Sequence, residues 1–190
     1  MTKNILIFES SPRKKGNTAV LAGQAAAGLR ESGVEVETIH LHGLSIAPCN
    51  HCDGCLRKKV NCVIKDDMQA IYPKLAAADG VILASPIYWS TFNAQLKVCI
   101  DRWYGLWQND NDFLKGKPVG VILTYGDTDI YTSGGINAIH TFEGMLRFIE
   151  SGPLSFVYGS VSDVGDAEKD ETFMESARQL GVKMAERVKV

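Results

Sequence analysis

Short apolar, β-rich runs alternate with amphipathic helical patterns along the chain, and this alternation restricts the fold more than any other feature. Asn4–Phe8, Val34–Ile39, Val81–Ala84, Val119–Leu123 and Leu154–Tyr158 read as strands. Most are continuous apolar stretches, as a parallel sheet covered by helices on both faces requires. Between them, Met68, Ile71 and Leu75 fall on one helix face. So do Leu96, Ile100, Trp103 and Trp107; Ile139, Phe142, Leu146 and Ile149; and Phe173, Ala177, Leu180 and Met184. The first helix, about Thr18 to Glu31, is alanine-rich and can lie close to the sheet. Five such units predict an α/β, doubly wound, five-stranded parallel sheet with helices on both faces. Right-handed crossovers favour the strand order 2-1-3-4-5. The ligand crevice of such a sheet lies beyond the carboxyl ends of the strands, where the order switches between the first and third. The loops after strands one, three and four are therefore the ones to inspect.

A length of 190 residues suits a single domain with a sizeable core. Apolar residues make up 45 % and charged residues 22 %, with a formal net charge of −2. That balance argues against nucleic acid or an anionic membrane as the main partner. The amino-terminal residues lack the pattern of a signal peptide, and no apolar run approaches a bilayer span. A cytoplasmic location is expected. There, five cysteines are not expected to form structural disulfides.

The first loop reads Ser10-Ser11-Pro12-Arg13-Lys14-Lys15-Gly16-Asn17-Thr18 and leads into a helix. Hydroxyls and free N–H groups meet there at a helix N-terminus, where the macrodipole favours an anion. Gly16 permits a tight path, Asn17 or Thr18 can cap the helix, and Arg13 adds a charged fork. The loop lacks the glycines of a Walker or dinucleotide motif. A phosphate site is one reading, and a capped helix after a solvated basic turn is the other. Ser-Pro-Arg-x-x-Gly-Asn-Thr after a strand resembles the phosphate loop of the NAD(P)H-dependent FMN reductase superfamily, which has a flavodoxin-like fold. The resemblance implies that Ser10, Ser11, Arg13, Gly16, Asn17 and Thr18 hold the phosphate of FMN.

The third strand ends in Ser85-Pro86-Ile87-Tyr88-Trp89-Ser90-Thr91-Phe92-Asn93. Tyr88 and Trp89 are flat and able to hydrogen-bond, which suits packing on a flavin ring; they could equally cover the rim of the sheet. The string from here through Asp101-Arg102 resembles the second FMN-contacting loop of the same superfamily, which implies that the backbone of Pro86, Ile87, Tyr88 and Trp89 lines the ring. Thr124, Tyr125 and Gly126 stand in the place of the third flavin loop. The resemblance spans about residues 4 to 150.

Cys49-x2-Cys52-x2-Cys55-x6-Cys62 lies between His42 and Lys65, a stretch too long for a simple connection, as a cysteine-rich insertion at about 46–65. Four thiolates suit a [4Fe–4S] cluster or a zinc ion, and three ligands at the tightest spacing favour the cluster. The last gap of six residues, with no proline after Cys62, departs from the ferredoxin run. The spacing and its place before Asp66-Asp67-Met68 resemble the iron–sulfur flavoprotein branch of the superfamily. That resemblance implies FMN plus one [4Fe–4S] cluster per chain and a homodimer or homotetramer. Arg57, Lys58 and Lys59 could offset a cluster's charge or form a solvated face. His51 is expected to be exposed, Cys99 to be a small core residue, and His140 to be structural.

Since the flavin carries the chemistry, no catalytic acid, base or nucleophile is assigned. The expected function is an FMN-dependent electron-transfer oxidoreductase passing electrons between a [4Fe–4S] cluster, FMN and a small-molecule acceptor. The resemblance suggests reduced ferredoxin as donor, with oxygen, peroxide or a quinone-like acceptor. Two alternatives remain: an NAD(P)H-dependent FMN or quinone reductase without a functional cluster, and a flavodoxin-like carrier with a zinc-stapled loop.

Overall fold

A computed structural model describes residues 2–189. Six strands form, in chain order β1 (Asn4–Glu9), β2 (Glu35–His40), β3 (Gly80–Tyr88), β4 (Thr91–Phe92), β5 (Val119–Tyr125) and β6 (Leu154–Ser160). The helices are α1 (Asn17–Glu31), α2 (Gly54–Lys58), α3 (Met68–Ala77), α4 (Ala94–Asp101), α5 (Trp103–Asn109), α6 (Gly135–Phe148), α7 (Asp166–Lys169) and α8 (Glu171–Lys189). The parallel path runs β2-β1-β3-β5-β6, and the two-residue β4 pairs antiparallel with β3 beside it. With β4 set aside, this is the expected order. The interior strand β5 is buried along its whole length, whereas the edge strand β2 alternates exposed and covered residues.

Each face of the sheet carries its own core. Leu6, Phe8, Val81, Leu83, Val121 and Leu123 pack under Met68, Ile71, Leu75, Leu96, Trp103, Phe142 and Leu146 on the side of α3 to α6. Ile5, Ile7, Ile82, Ala84 and Ile122 pack under Leu21, Ala25, Leu29, Phe173, Ala177, Leu180 and Met184 of α1 and α8. The small residues of α1 serve a specific approach. A Cβ on Gly28 would stand 2.2 Å from the Arg178 carbonyl oxygen, and one on Gly181 would stand 2.0 Å from that of Ala25. The two glycines interlock α1 with α8.

Two departures from the sequence expectations matter for the site. The stripe from Leu96 to Trp107 belongs to two helices, α4 and α5, which meet at Arg102. The Arg102 carbonyl there accepts a hydrogen bond from the Tyr72 hydroxyl at 3.1 Å. The end of β3 also turns back as a hairpin into β4, with Tyr88 paired to Thr91. Cys99 is buried as expected, whereas His140 is exposed on α6. Among the described residues, no helix is long and apolar enough to cross a membrane.

Candidate functional site

The first loop leaves β1 beside the end of β3. The Ser10 Oγ donates to the Ala84 carbonyl at 2.9 Å, and the Asn93 side-chain amide donates to the Ser10 carbonyl at 2.6 Å. Ser10 is thus a buried tie between loop and sheet. The next N–H, that of Ser11, donates to the Glu9 Oε1 at 2.7 Å. The Ser11 Oγ accepts from the Arg13 N–H at 3.1 Å, and the Gly16 N–H closes the turn on the Arg13 carbonyl at 2.8 Å. A Cβ on Gly16 would lie 3.0 Å from that of Arg13 and 3.2 Å from the Ser11 Oγ, so a side chain there would require its neighbours to give by a few tenths of an ångström. No side chain caps α1, which leaves its first-turn N–H groups at the mouth of a crevice.

That crevice has a volume of about 190 Å³. Ser11, Arg13, Gly16, Asn17 and Thr18 line it from the first loop, Pro86, Ile87 and Tyr88 from the end of β3, and Thr124, Tyr125 and Gly126 from the end of β5. Val161 and Ser162, after β6, complete it. Those two residues were not identified from the sequence, although the rule that ligands sit at the carboxyl ends of strands applies equally to the last strand. The Thr18 and Thr124 hydroxyls meet 2.7 Å apart at a buried point of this lining. Asn17 does not cap α1. Its side chain donates to the Asp163 carbonyl at 2.8 Å and accepts from the Gly165 and Ala167 N–H groups, pinning the loop after β6 to the first loop.

Trp89 is not part of this lining. It occupies the tip of the hairpin with Ser90, both at positive φ (47° and 67°), and its side chain is fully exposed. A two-residue turn of that shape matches the twist of its strands and turns the indole away from the crevice. The Ser90 carbonyl accepts a bond from the Asn137 side chain, and Gly134 leaves room for Ser90 against the start of α6. Glu9, beneath the loop, was also missed. It is 1 % exposed; burial raises its pKa, against the opposing pull of His40, whose Nδ1 lies 3.0 Å from the Glu9 Oε2, and of the Ser11 N–H.

The cysteine segment forms a second site. Cys49, Cys52, Cys55 and Cys62 all line one small cavity of about 20 Å³, together with Arg102, Tyr104 and Gly105. Cys49 and Cys52 are exposed, Cys62 is half-buried and Cys55 is buried; all five cysteines are free thiols. The segment is fastened from outside. The Asn109 side chain donates to the Val60 carbonyl at 3.0 Å, and the Gln69 side chain donates to the Cys62 carbonyl at 3.1 Å. A Cβ on Gly105 would fall 1.7 Å from the Asn61 carbonyl oxygen, so only glycine admits the loop there. His51, Asp53 and Lys59 all take positive φ. His51 is exposed as expected, and Arg57 donates to the Cys52 carbonyl at 2.7 Å. Among the described residues, no three His, Cys, Asp or Glu side chains gather where a single ion could sit. Zinc needs its sulfurs at about 2.3 Å from one point. A cubane takes one thiolate at each of four irons, so its thiolates stand further apart around a shared space.

A family model described as NADPH-dependent FMN reductase matches residues 3–159. The chain belongs to the NADPH-dependent FMN reductase family. An iron–sulfur flavoprotein of Methanocaldococcus jannaschii is 33% identical to this family member, over 98% of this chain and 97% of the relative. One of Methanosarcina thermophila is 35% identical over 94% of this chain and 92% of its own. The solved structure of the Trp repressor binding protein from Bacillus subtilis is 26% identical with a TM-score of 0.70, covering 94% of this chain and 98% of the other. As an FMN reductase family member, the chain is a flavin-dependent oxidoreductase. Its crevice suits FMN: the open helix N-terminus and Arg13 match a monophosphate, and the walls from β3 and β5 rise beside it.

Proposed function

We propose that the chain is an electron-transfer flavoprotein that holds FMN in the crevice and a [4Fe–4S] cluster in the cysteine segment. The observation that carries this reading is that all four thiols of the Cys49–Cys62 spacing line one cavity while none of them lines the flavin crevice. The first-turn N–H groups of α1 at Asn17 and Thr18, with the Ser11 and Thr18 hydroxyls, would hold the FMN phosphate, Gly16 would keep the turn that presents them, and Arg13 would supply positive charge. Ser10 acts indirectly, by tying the loop to β3. Asn17 keeps the Asp163–Ala167 loop in place as a wall. Pro86 to Tyr88 and Thr124 to Gly126 would border the ring. FMN, when bound, supplies one- and two-electron chemistry to a small-molecule acceptor. Cys49, Cys52, Cys55 and Cys62 would each ligate one iron, and the cluster would supply one-electron chemistry.

The donor is reduced ferredoxin or NAD(P)H. The family's description favours NADPH, whereas the identity with iron–sulfur flavoproteins favours a one-electron donor. Phe148 and Trp107 leave an aromatic face on α5 and α6 open to solvent, which suits association into a homodimer or homotetramer. Five free thiols suit the cytoplasm.

The test is the iron, acid-labile sulfide and flavin content of anaerobically purified protein, with wild type compared to Cys52→Ala. About four irons and four sulfides per chain are expected in wild type, with FMN; the variant should lose the iron and keep FMN. Zinc without labile sulfide would overturn the cluster. Stopped-flow bleaching of the flavin then separates the donors. If ferredoxin supplies the electrons, Cys52→Ala slows bleaching by ferredoxin; if NAD(P)H reduces the flavin directly, the variant keeps the NAD(P)H rate.

A further inference from the structure

Arg102 is the largest side chain in the structure with less than two per cent of its surface exposed. It stands at the junction of α4 and α5, forty residues after Cys62, the last of the four cysteines of the segment. Its Nη1 donates to the Asp66 Oδ2 at 2.5 Å and to the Ala47 carbonyl at 2.7 Å, and its Nη2 donates to the Asp66 Oδ1 at 3.2 Å. The same carboxylate accepts from the Ala47 N–H at 3.0 Å and the Met68 N–H at 3.1 Å. Ala47 lies just before Cys49 and Asp66 just after Cys62, so the ion pair closes both ends of the cysteine segment. A one-ended anchor would leave the other end free to move. The neighbouring Asp67 carboxylate adds a bond to the Ser45 N–H at 2.7 Å.

Arg102 also lines the cavity that the four thiols share, and its Nε–H is buried without a hydrogen-bond partner. An unpaired buried donor is unfavourable, and on a desolvated guanidinium it is more so. One carboxylate and one carbonyl leave the fork with spare donor capacity, and this charged residue shares the lining of the cavity with the four thiols. The positive side chains that the sequence offered for this purpose do not stand in its place. Arg57 is spent on the Cys52 carbonyl, and Lys58 and Lys59 face solvent, where water screens them.

We propose that Arg102 is a positioning residue for the cysteine segment and that its fixed charge raises the potential at which the four-thiolate centre takes up an electron. The inference rests on the cluster reading given above. One-electron reduction adds one negative charge to the centre. A guanidinium held beside it in a poorly solvated cavity stabilises the reduced form more than the oxidised one. Asp66 partly offsets that charge, so the two partners have opposite effects on the potential while having the same effect on the packing of the loop.

That difference in sign is the test. Wild type, Arg102→Gln, Arg102→Lys and Asp66→Asn are purified anaerobically as the whole chain. Iron, sulfide and FMN are measured first, and then the cluster midpoint potential by titration followed by electron paramagnetic resonance. FMN occupancy reports folding, because Arg102 does not line the flavin crevice. Arg102→Gln should lower the one-electron reduction constant about tenfold, a downward shift of about 59 mV. Arg102→Lys keeps the charge and should shift it less. Asp66→Asn leaves the guanidinium uncompensated and should shift the potential upward. If Arg102→Gln and Asp66→Asn shift it in the same direction, or neither moves it, the ion pair is only a structural clamp and the inference fails. If Arg102→Gln cannot retain iron, Asp66→Asn decides alone: an upward shift supports the inference, and an unchanged or lowered potential overturns it. Wild type without iron and sulfide would instead overturn the cluster reading, and this inference with it.

Discussion

The two loops that carry the candidate sites are organised in opposite ways. The first loop, Ser10–Thr18, closes its turn locally between Ser11 and Gly16, is tied to other elements at its ends through Ser10, Asn17 and Thr18, and leads directly into the N–H groups of α1. The cysteine segment places three non-glycine residues at positive φ, each costing on the order of 1 kcal/mol. It is held in that shape by Arg102, Asn109, Gln69 and Gly105, all from other elements. An anion cradle can be built from local backbone because helix ends supply its donors. Four thiols must be brought together by contacts that the segment does not contain.

If this contrast is right, damage to the clamp should be large and confined to the second site. Asp66→Ala leaves a buried guanidinium without its counter-charge and is expected to cost about 3–5 kcal/mol in urea unfolding. FMN occupancy should survive in the folded fraction. A cost below about 1 kcal/mol would show that the segment does not depend on the pair. In wild type, partial burial pushes the Asp66 carboxyl up, but the hydrogen bonds from Arg102 and the Ala47 N–H outweigh it and hold the pKa below the usual range. The contribution of the pair is therefore complete above about pH 4 and should be lost as the pH falls through the depressed pKa.

Gly105→Ala tests the same dependence from the other side. The added methyl would strike the Asn61 carbonyl, so a cost of about 1–3 kcal/mol and loss of iron are expected, with flavin retained. Loss of FMN along with iron would mean that the two sites are not separable. Arg13→Ala reverses the pattern: flavin should bind about tenfold more weakly by fluorescence titration, with iron content unchanged.

The smallest effect should come from Glu9. Burial raises its pKa, so the folded protein binds that proton more tightly than the unfolded chain. Stability then falls as the pH rises from about 4.3 through the folded-state value. Glu9→Gln should be neutral near pH 4 and gain up to about 1 kcal/mol near pH 8. A gain that does not vary with pH would mean that the carboxylate charge is not the cause.

The same contrast explains how much was legible in the sequence. The strand runs and the switch point located the crevice, because continuous apolar runs and a helix start are local signals. Ser11, Arg13, Gly16, Thr18, Pro86 and Thr124 accordingly meet around one space. The resemblance carries the backbone of Trp89 to the ring, whereas its side chain sits on a hairpin whose turn residues, Trp and Ser, carry none of the usual glycine or asparagine signals. The break between α4 and α5 was hidden by an apolar stripe that continues across it. Arg102 lies off that stripe, so its charge does not interrupt the pattern. Its partner Asp66 lies far away along the chain, and nothing in one sequence links the two.

The interlock of Gly28 with Gly181 bears on how the protein can be shortened. The family match ends at residue 159, before α8 begins, so trimming to the matched region would keep every residue of the flavin crevice except Val161 and Ser162. It would also strip α1 of the helix that covers Ala25, Ala26 and Leu29. The helix whose N-terminus opens on the crevice would then present an apolar flank to water. A minimal flavin-binding fragment of this chain therefore has to include the carboxy-terminal helix, although that helix touches no part of the crevice.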